Sequence, residues 1–458
     1  MLNLGRINLP SLQFWALLIS MSALFFMGGS SRPDATSLAL LTPLMIASFG
    51  GALITLNRRH FLDNKGLLIG FLIIFLMIGL YLLPVANVDR DLLGGGEQPE
   101  TLRRLADDRS ASYILAIAPH TVLQSFFFLF APLAVFLYSI QLSRDDLRMT
   151  LPVIIGLAAI SGIFGVLQLA GNPNGPLYLY STTNNGSAVG LFANRNHAAV
   201  LLACVFPMLT LMVKSRALRH TPKNVSKAIA MAVAILLVPL ILVTGSRSGM
   251  LAALIGLIGG SLLYFSHGGS HQEGRGDTSF LPIIAMTVIL SLVFTTIYLS
   301  RAEAIDRLFA EPNDAVDRAD FWTSSLKMFW QFFPFGFGPG GFVSAFQINE
   351  PLDFLGSVYL NRLHNDWLET ALTFGVPGLI LMLAGILYFL RRSFVLWVRM
   401  DGARTAVALG RTASIVIAIL AVASMSDYPL RTPAMAGFAA LVLVWFAHAR
   451  HEPNSFEP

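Results

Sequence analysis

Long apolar runs alternate with polar connections along almost the whole chain. About 20 apolar residues, or about 17 at the least, form a helix that crosses the hydrocarbon core of a bilayer. We count twelve such runs, of which the last two are short. They lie near Ser11–Met27, Ser37–Leu56, Leu67–Leu83, Val122–Ile140, Leu151–Ala170, Ala198–Val213, Ala228–Val243, Met250–Phe265, Phe280–Leu299, Phe374–Leu390, Thr412–Met425 and Ala434–Ala447. The pattern predicts an all-α polytopic membrane protein with about 12 transmembrane helices.

Composition supports this class. The chain has 458 residues, of which 55% are hydrophobic and 12% charged, whereas soluble domains carry about 25% charged residues. The single cysteine, Cys204, lies inside an apolar run, so we expect no intrachain disulfide and no cysteine-based zinc site. The first run resembles a signal peptide, but no clear cleavage site follows it, and we expect it to be retained.

Basic residues are sorted between alternate connections. With a cytoplasmic N-terminus, the inner segments hold more than half of the Lys and Arg residues but under a third of the acidic ones. Clusters at 214–227 and 391–411 lie in short connections, where the positive-inside rule applies best. This sorting explains the net charge of +5 without nucleic-acid binding. It predicts a multi-pass protein of the bacterial inner membrane with a cytoplasmic tail.

Two predicted outer segments are long. We expect residues 1–299 to hold nine transmembrane helices with an extracytoplasmic loop at 84–121. Residues 300–373 form a large periplasmic loop between the ninth and tenth helices, residues 374–448 hold the last three helices, and residues 449–458 form the tail.

The large loop contains two recognisable segments. Asp317–Phe333 has the pattern of an amphipathic helix on the membrane surface, with Trp322 and Trp330 at the interface and Pro334 ending the helix. The following segment, PFGFGPGGF at 334–342, contains GxGxxG. No βαβ unit surrounds it, so we predict a tight turn rather than a dinucleotide site.

Two arginines stand out on the predicted outer face. Arg247 lies in the break TGSRSG at 244–249. An arginine at membrane depth costs about 2.5–3.5 kcal/mol on insertion scales, which makes it a functional candidate, although a turn residue snorkelling to headgroups is the alternative. Arg318 opens the predicted surface helix, where a solvated helix face is the alternative.

His364 precedes the tenth run in the segment LHNDWLE. An imidazole ordinarily titrates near neutral pH and suits a general base. Asn365 and Asp366 follow it and are candidates to fix its tautomer. A purely structural histidine and a weak metal-binding pattern are the alternatives.

The motifs together resemble the O-antigen ligase superfamily, which also includes O-antigen and exopolysaccharide polymerases. The resemblance depends on SRSG at 246–249, Arg318 with Trp322 and the glycine-rich turn, and HNDWLE at 364–369. FANRNHAA at 192–199 and SDYPLRTP at 426–433 are similar to the family as well.

The resemblance implies a GT-C-like helical glycosyltransferase that acts on the periplasmic side. Its donor is a glycan on undecaprenyl pyrophosphate, and it needs neither a metal nor a cofactor. The implied catalytic residues are His364, Arg247 and Arg318. The implied substrate-binding residues are Arg195, Asn194, Asn196, Ser246, Asn365, Asp427 and Arg431.

The sequence leaves the identity of the glycan acceptor undetermined. A ligase transfers the glycan to lipid A core, a polymerase to another lipid-linked glycan, and an oligosaccharyltransferase to protein. We favour the ligase, with the polymerase as a close rival because SDYPLRTP is most similar to exopolysaccharide-type members. A transporter or flippase of a lipid-linked glycan is the alternative of another class. It is disfavoured because no internal repeat is visible and the candidate residues lie on one face.

Overall fold

The computed structural model describes residues 10–33, 35–85, 113–214, 223–266, 325–350, 360–400 and 405–448. Within these ranges the protein is built almost entirely from helices. They are α1 (Leu12–Met27), α2 (Ser37–Thr55), α3 (Arg58–Leu80), α4 (Pro119–Phe128), α5 (Phe130–Ser139), α6 (Arg144–Ala170), α7 (Arg195–Lys214), α8 (Lys223–Val243), α9 (Arg247–Phe265), α10 (Phe342–Asn349), α11 (Asp366–Phe394), α12 (Thr405–Ala423) and α13 (Pro433–His448). A π-helical turn, Val395–Arg399, follows α11, and a 3₁₀ turn, Pro429–Arg431, precedes α13. Two short strands, β1 (Pro84–Val85) and β2 (Tyr113–Ile114), pair antiparallel.

Several helices start where a polar side chain caps them. Ser11, Asn57, Ser143, Ser246 and Asn365 each accept a hydrogen bond from the backbone amide three residues further on. Such caps satisfy amide groups that have no partner inside the helix. As a result α3 and α11 begin several residues before the apolar runs that predicted them.

Nine helical segments in the described ranges are long and apolar enough to cross a membrane, and α1 and α13 are shorter apolar helices. These eleven coincide with eleven of the twelve predicted runs, and the fourth run consists of α4 and α5 together. The ninth run, 280–299, lies outside the described residues, so the count of twelve stays a prediction. Large apolar side chains such as Leu40 and Ile54 on α2 are 71% and 87% exposed, as lipid-facing residues are.

The core lies around α7. Its residues from Ala198 to Leu209 are almost all buried, and it packs against α6, α8, α9 and α12. The bulkiest fully buried side chains include Trp445 and Phe438 of α13 and Phe136 of α5. The other helices therefore surround α7, and the first residues of α7 belong to the FANRNHAA segment.

The helix ends sort into two sets. At one end, the Ser11 amide lies 3.4 Å from Asp146, and His448 Nε2 lies 2.7 Å from Asn64 Oδ1. At the other end, the Ala193 amide donates to Gly29 O at 3.1 Å, and the Ala434 amide donates to Gly28 O at 3.0 Å. Helix ends that the charge pattern assigned to one side thus lie together, and all the described candidate residues lie at the second end.

Candidate active site

Asp427, in the connection between α12 and α13, is the centre of a buried polar cluster. Its Oδ2 accepts hydrogen bonds from the side-chain amides of Asn196, at 2.6 Å, and Asn194, at 3.2 Å. Its Oδ1 accepts one from the backbone amide of Tyr428 at 2.9 Å. The residue is only 1% exposed. The carboxylate therefore joins the segment that enters α7 to the segment that enters α13.

Two imidazoles face the same carboxylate. His364 Nδ1 lies 3.4 Å and His197 Nε2 lies 3.7 Å from Asp427 Oδ1. Burial alone raises the pKa of Asp427, but the two histidines outweigh it and hold that pKa well below the ordinary carboxyl range. Asp427 is thus an anion at neutral pH. The His197 side chain is 1% exposed and that of His364 is 29% exposed, so only His364 is open to a substrate.

The backbone at His364 is unusual. Among the residues that the structure describes, His364 is the one non-glycine residue with positive φ, at 57°. A residue other than glycine adopts a left-handed backbone conformation mainly where neighbouring interactions hold it there. Such residues are common at functional sites. Here the neighbours impose it from both sides. Asn365 caps α11 by accepting from the Leu368 amide at 3.0 Å, and Glu369 accepts from the Leu363 amide at 3.1 Å.

Glu369 is buried and belongs to an ion-pair network next to the His364 turn. Its Oε1 lies 3.0 Å from Arg362 Nη1 and 3.7 Å from Arg431 Nη2. Arg431 Nε in turn lies 2.8 Å from Asp366 Oδ1. The Asp366 amide donates to Ser424 O at 2.8 Å. The network therefore ties the start of α11 to the connection that carries Asp427.

Arg247 is the first residue of α9 and is exposed. Ser246 caps the helix and Gly245 turns the chain with a φ of 63°, which confirms the predicted break. A Cβ on Gly249 would lie 2.3 Å from Ala199 Cβ on α7, so only glycine permits this approach. The contact places the Arg247 turn at the same end of the protein as His197.

A cavity of about 1140 Å³ adjoins the His364 turn. Arg32, Arg362, Arg431 and Asp366 line its polar part. Its apolar wall comes from α2, α3 and α4 and includes Leu41, Met45, Ile78, Phe127 and Phe128. A cavity with this division accommodates an amphiphile, with a polar group beside the arginines and a hydrocarbon chain against the apolar wall.

The glycine-rich turn packs on α11, as a tight turn should. Gly336, Gly338 and Gly340 all have positive φ. The Phe337 and Gly338 amides donate to Leu372 O and Thr373 O, where α11 itself is interrupted at Gly375. Of the predicted surface helix only residues from 325 onward are described. They are helical from 325 to 331, and Trp330 is 72% exposed.

The predicted site residues lie in several places. Asn194, Asn196, His364 and Asp427 form one cluster, with Arg431 and Asn365 next to it. Arg247 and Ser246 form a separate turn at the same end of the protein. The Arg195 amide donates to Asn184 Oδ1 at 3.1 Å. Arg318 and Trp322 lie outside the described residues.

Sequence reasoning missed part of the cluster. Asn365 and Asp366 were expected beside the His364 ring, but Asn365 caps α11 and Asp366 pairs with Arg431, so Asp427 occupies that place. His197, Arg362 and Glu369 were not singled out. The available signal was the density of polar residues just before a span, in NRNH and NRLHND.

Fold and site together define a multi-pass helical membrane protein with a buried His–Asp cluster at one end. The sequence profile of the O-antigen ligase family matches residues 231–383, which include Arg247, Arg318 and His364. The match confirms the resemblance to the O-antigen ligase superfamily, whose members are ligases or polymerases. No protein in the search of curated proteins matches the chain.

Proposed function

We propose that the protein is a membrane glycosyltransferase of the O-antigen ligase type. It moves a glycan from undecaprenyl pyrophosphate to an acceptor hydroxyl on lipid A core, at the periplasmic face of the inner membrane. The observation that carries the proposal is the pair formed by Asp427 and His364. The carboxylate is buried and anionic, and the imidazole beside it is partly exposed and held in a left-handed backbone conformation.

This pair supports general base catalysis. A carboxylate next to Nδ1 favours the tautomer with its proton on Nδ1, which leaves the lone pair of His364 Nε2 for a substrate proton. His364 takes the proton of the acceptor hydroxyl while the hydroxyl oxygen attacks the anomeric carbon. The bond from that carbon to the pyrophosphate oxygen breaks, and its electron pair leaves with the pyrophosphate. A single displacement of this kind inverts the anomeric configuration.

The leaving pyrophosphate needs positive charge. Arg247 is exposed at the start of α9, where the free amides of the helix also favour anions. Guanidinium groups bind phosphate oxygens in bidentate fashion. We assign Arg247 and Arg318 to the two phosphates. The amphipathic cavity beside Arg362 and Arg431 supports a lipid-linked substrate, since it offers arginines and an apolar wall together.

Turnover by the purified protein tests the proposal. Full-length protein in detergent receives undecaprenyl-pyrophosphate-linked glycan and lipid A core, and the products are separated by mass. A new glycosidic bond supports the proposal, and transport without bond formation favours the flippase. We expect EDTA to leave turnover unchanged. Loss of activity in EDTA that Mg²⁺ or Mn²⁺ restores would contradict the metal-independent mechanism.

Deletion of the gene separates the acceptors. For a ligase, we expect lipid-linked polymer to accumulate while surface lipopolysaccharide loses its long chains. Failure of the polymer itself to form would identify the polymerase instead, and loss of a glycoprotein would identify an oligosaccharyltransferase.

Cysteine labelling tests the proposed orientation. After Cys204→Ala, cysteines at Ser344 and Ser215 are exposed to a membrane-impermeant thiol reagent in cells with permeabilised outer membranes. We expect labelling at 344 and none at 215, and the reverse would overturn the topology.

A further inference from the structure

We propose that the end of the protein opposite to Asp427 binds the headgroup of an anionic glycerophospholipid. A second cavity, of about 520 Å³, lies there between the start of α3, the turn from α5 to α6 and the end of α13. We call it the distal cavity. It shares no lining residue with the proposed active site, so the inference stands apart from the proposed function.

The charge of the distal cavity favours an anion. Three arginines line it, Arg59, Arg144 and Arg148, and Asp63 is the one acidic residue among its lining residues. Arg148 also pairs with Asp145, which does not line the cavity, at 3.3 Å. Arg59 and Asp63 are 3.8 Å apart, and the Arg59 side chain is 89% exposed. Such an exposed pair holds its arginine only weakly, so Arg59 is able to turn to a phosphate. Guanidinium groups are suited to the phosphodiester of a lipid headgroup.

Two buried polar atoms identify further contacts. His60 Nδ1 and Gln141 Oε1 are buried, and neither meets a hydrogen-bonding partner among the described residues. Both residues line the distal cavity. The Gln141 side-chain nitrogen already donates to Ala52 O and Leu137 O, each at 2.9 Å, so its oxygen is the atom left over. Buried polar atoms in this situation call for a ligand or water.

A glycerol phosphate headgroup satisfies both atoms at once. Its phosphate oxygens accept from the arginines and from the N–H of a neutral His60 with its proton on Nδ1, and its free hydroxyl donates to Gln141 Oε1. Phosphatidylglycerol carries both groups and a negative charge. A zwitterionic choline headgroup lacks the hydroxyl and cancels the charge.

The surroundings favour a lipid over a free anion. The cavity opens where helices begin, at the boundary of the apolar segments, and basic pockets between transmembrane helices are known to bind lipid headgroups. Beside it, α3 exposes Phe61, Leu62, Ile69 and Leu72, against which acyl chains pack. α3 is also mostly unburied along its length, with Asn64 tied to His448 at this end. A bound lipid would therefore strengthen the attachment of α3.

Thermal unfolding of the full-length protein in detergent tests the proposal. Phosphatidylglycerol or phosphatidylcholine is titrated into the parent, into Arg59→Gln/Arg144→Gln, and into the control Arg391→Gln. Arg391 is exposed at the same end but does not line the cavity. We expect phosphatidylglycerol to raise the Tm of the parent and the control. The double variant should need about 25-fold more lipid, about fivefold for each arginine.

Further measurements keep the test decisive. Inorganic phosphate at millimolar concentration should neither raise Tm nor displace phosphatidylglycerol. If phosphate does either, the site binds a free anion and the lipid proposal fails. Equal responses to both lipids, or equal responses of parent and double variant, also overturn it. If the double variant does not fold, Arg148→Gln with native mass spectrometry of bound lipid replaces it, and retention equal to the parent contradicts the proposal.

Discussion

The two ends of the protein handle charge in opposite ways. Around Asp427, the charged and polar side chains face one another, and the carboxylate meets two amides, a backbone N–H and two imidazoles. In the distal cavity, three arginines and one aspartate line the wall, Arg148 pairs with Asp145 outside the wall, and two buried polar atoms meet no partner among the described residues. The first arrangement surrounds one carboxylate with donors from the protein itself and holds one imidazole beside it, as preorganised catalysis requires. The second arrangement leaves polar atoms that a bound lipid headgroup would satisfy, as we propose.

Asp427→Asn gives the sharpest test of the first arrangement. An amide cannot impose the same tautomer on His364, and the analogous loss in a His–Asp pair is about 10⁴ in turnover. We expect a loss of that order with donor binding retained. Turnover is measured with expression and thermal stability matched to the parent, and Asp145→Asn, an exposed acid at the other end, serves as the control. Equal activity of the two variants would show that Asp427 does not contribute to catalysis.

His364→Gln addresses the proposed base directly. Glutamine keeps the size and hydrogen bonding of the side chain but cannot accept a proton at neutral pH. We expect turnover to fall by about 10²–10⁴, the usual contribution of a positioned acid-base group. Activity within about threefold of the parent would rule out proton transfer by His364 and leave it as an anchor of the loop.

Arg247→Lys tests whether the exposed Arg247 turn takes part in the reaction together with the buried Asp427 cluster. Lysine keeps the charge but loses the bidentate fork. We expect a loss of about 10²–10³ in turnover, and the same for Arg318→Lys. Near-parental rates for both variants would show that these arginines are surface charges. The donor pyrophosphate would then not be bound by Arg247 and Arg318.

Glu369→Ala and Asp145→Ala compare a buried with an exposed ion pair. Glu369 is buried, and its partners Arg362 and Arg431 are 15% and 23% exposed. Removing Glu369 takes away the carboxylate that Arg362 pairs with and leaves Arg431 with Asp366, which should cost about 3 kcal/mol, the lower end of the range for breaking a buried pair. Asp145, which is 67% exposed and 3.3 Å from Arg148, should cost no more than about 1 kcal/mol. Chemical unfolding in detergent measures both. Equal effects would mean that the network next to His364 contributes little to stability.

The smallest expected effect is on pH dependence. The pKa of Asp427 is lowered in the folded protein, so its ionisation stabilises the fold above the unfolded value of about 3.9 and this contribution fades in stronger acid. We expect the Tm gap between the parent and Asp427→Asn to stay constant from about pH 5 to 8 and to narrow below about pH 4. A gap that widens in acid would contradict the assignment.

The sequence predicted most of the fold because each membrane helix must satisfy its own backbone and bury its apolar side chains in lipid or in neighbouring helices. Eleven predicted runs therefore coincide with helices. The starts of α3 and α11 were predicted too late, since Arg58 and Asp366 are polar residues that a capped helix still accommodates at the membrane boundary.

The site was predicted in pieces. His364, Asn196 and Asp427 stand out singly because polar residues next to spans are conspicuous. That Asp427, and not Asp366, meets His364 depends on how α11, α12 and α13 pack, which no local pattern specifies. Glu369 stands in the first turn of α11, where the helix dipole alone would account for an acidic residue. Of its two partners, Arg362 precedes Glu369 in the sequence and Arg431 follows it, so no local pattern indicates the network.

The hydrogen bond between Asn196 and Asp427 has a consequence for biosynthesis, because it joins residues 231 positions apart. At about 5–20 residues per second, the ribosome needs about 10–50 s to pass from one to the other. Throughout that interval α7 waits in the membrane with its polar first turn lacking the carboxylate that it binds. The cluster forms only after the last helical hairpin, α12 and α13, has been inserted. A nascent or truncated chain that stops before Asp427 therefore cannot assemble the His–Asp pair, however many of its membrane helices are already in place.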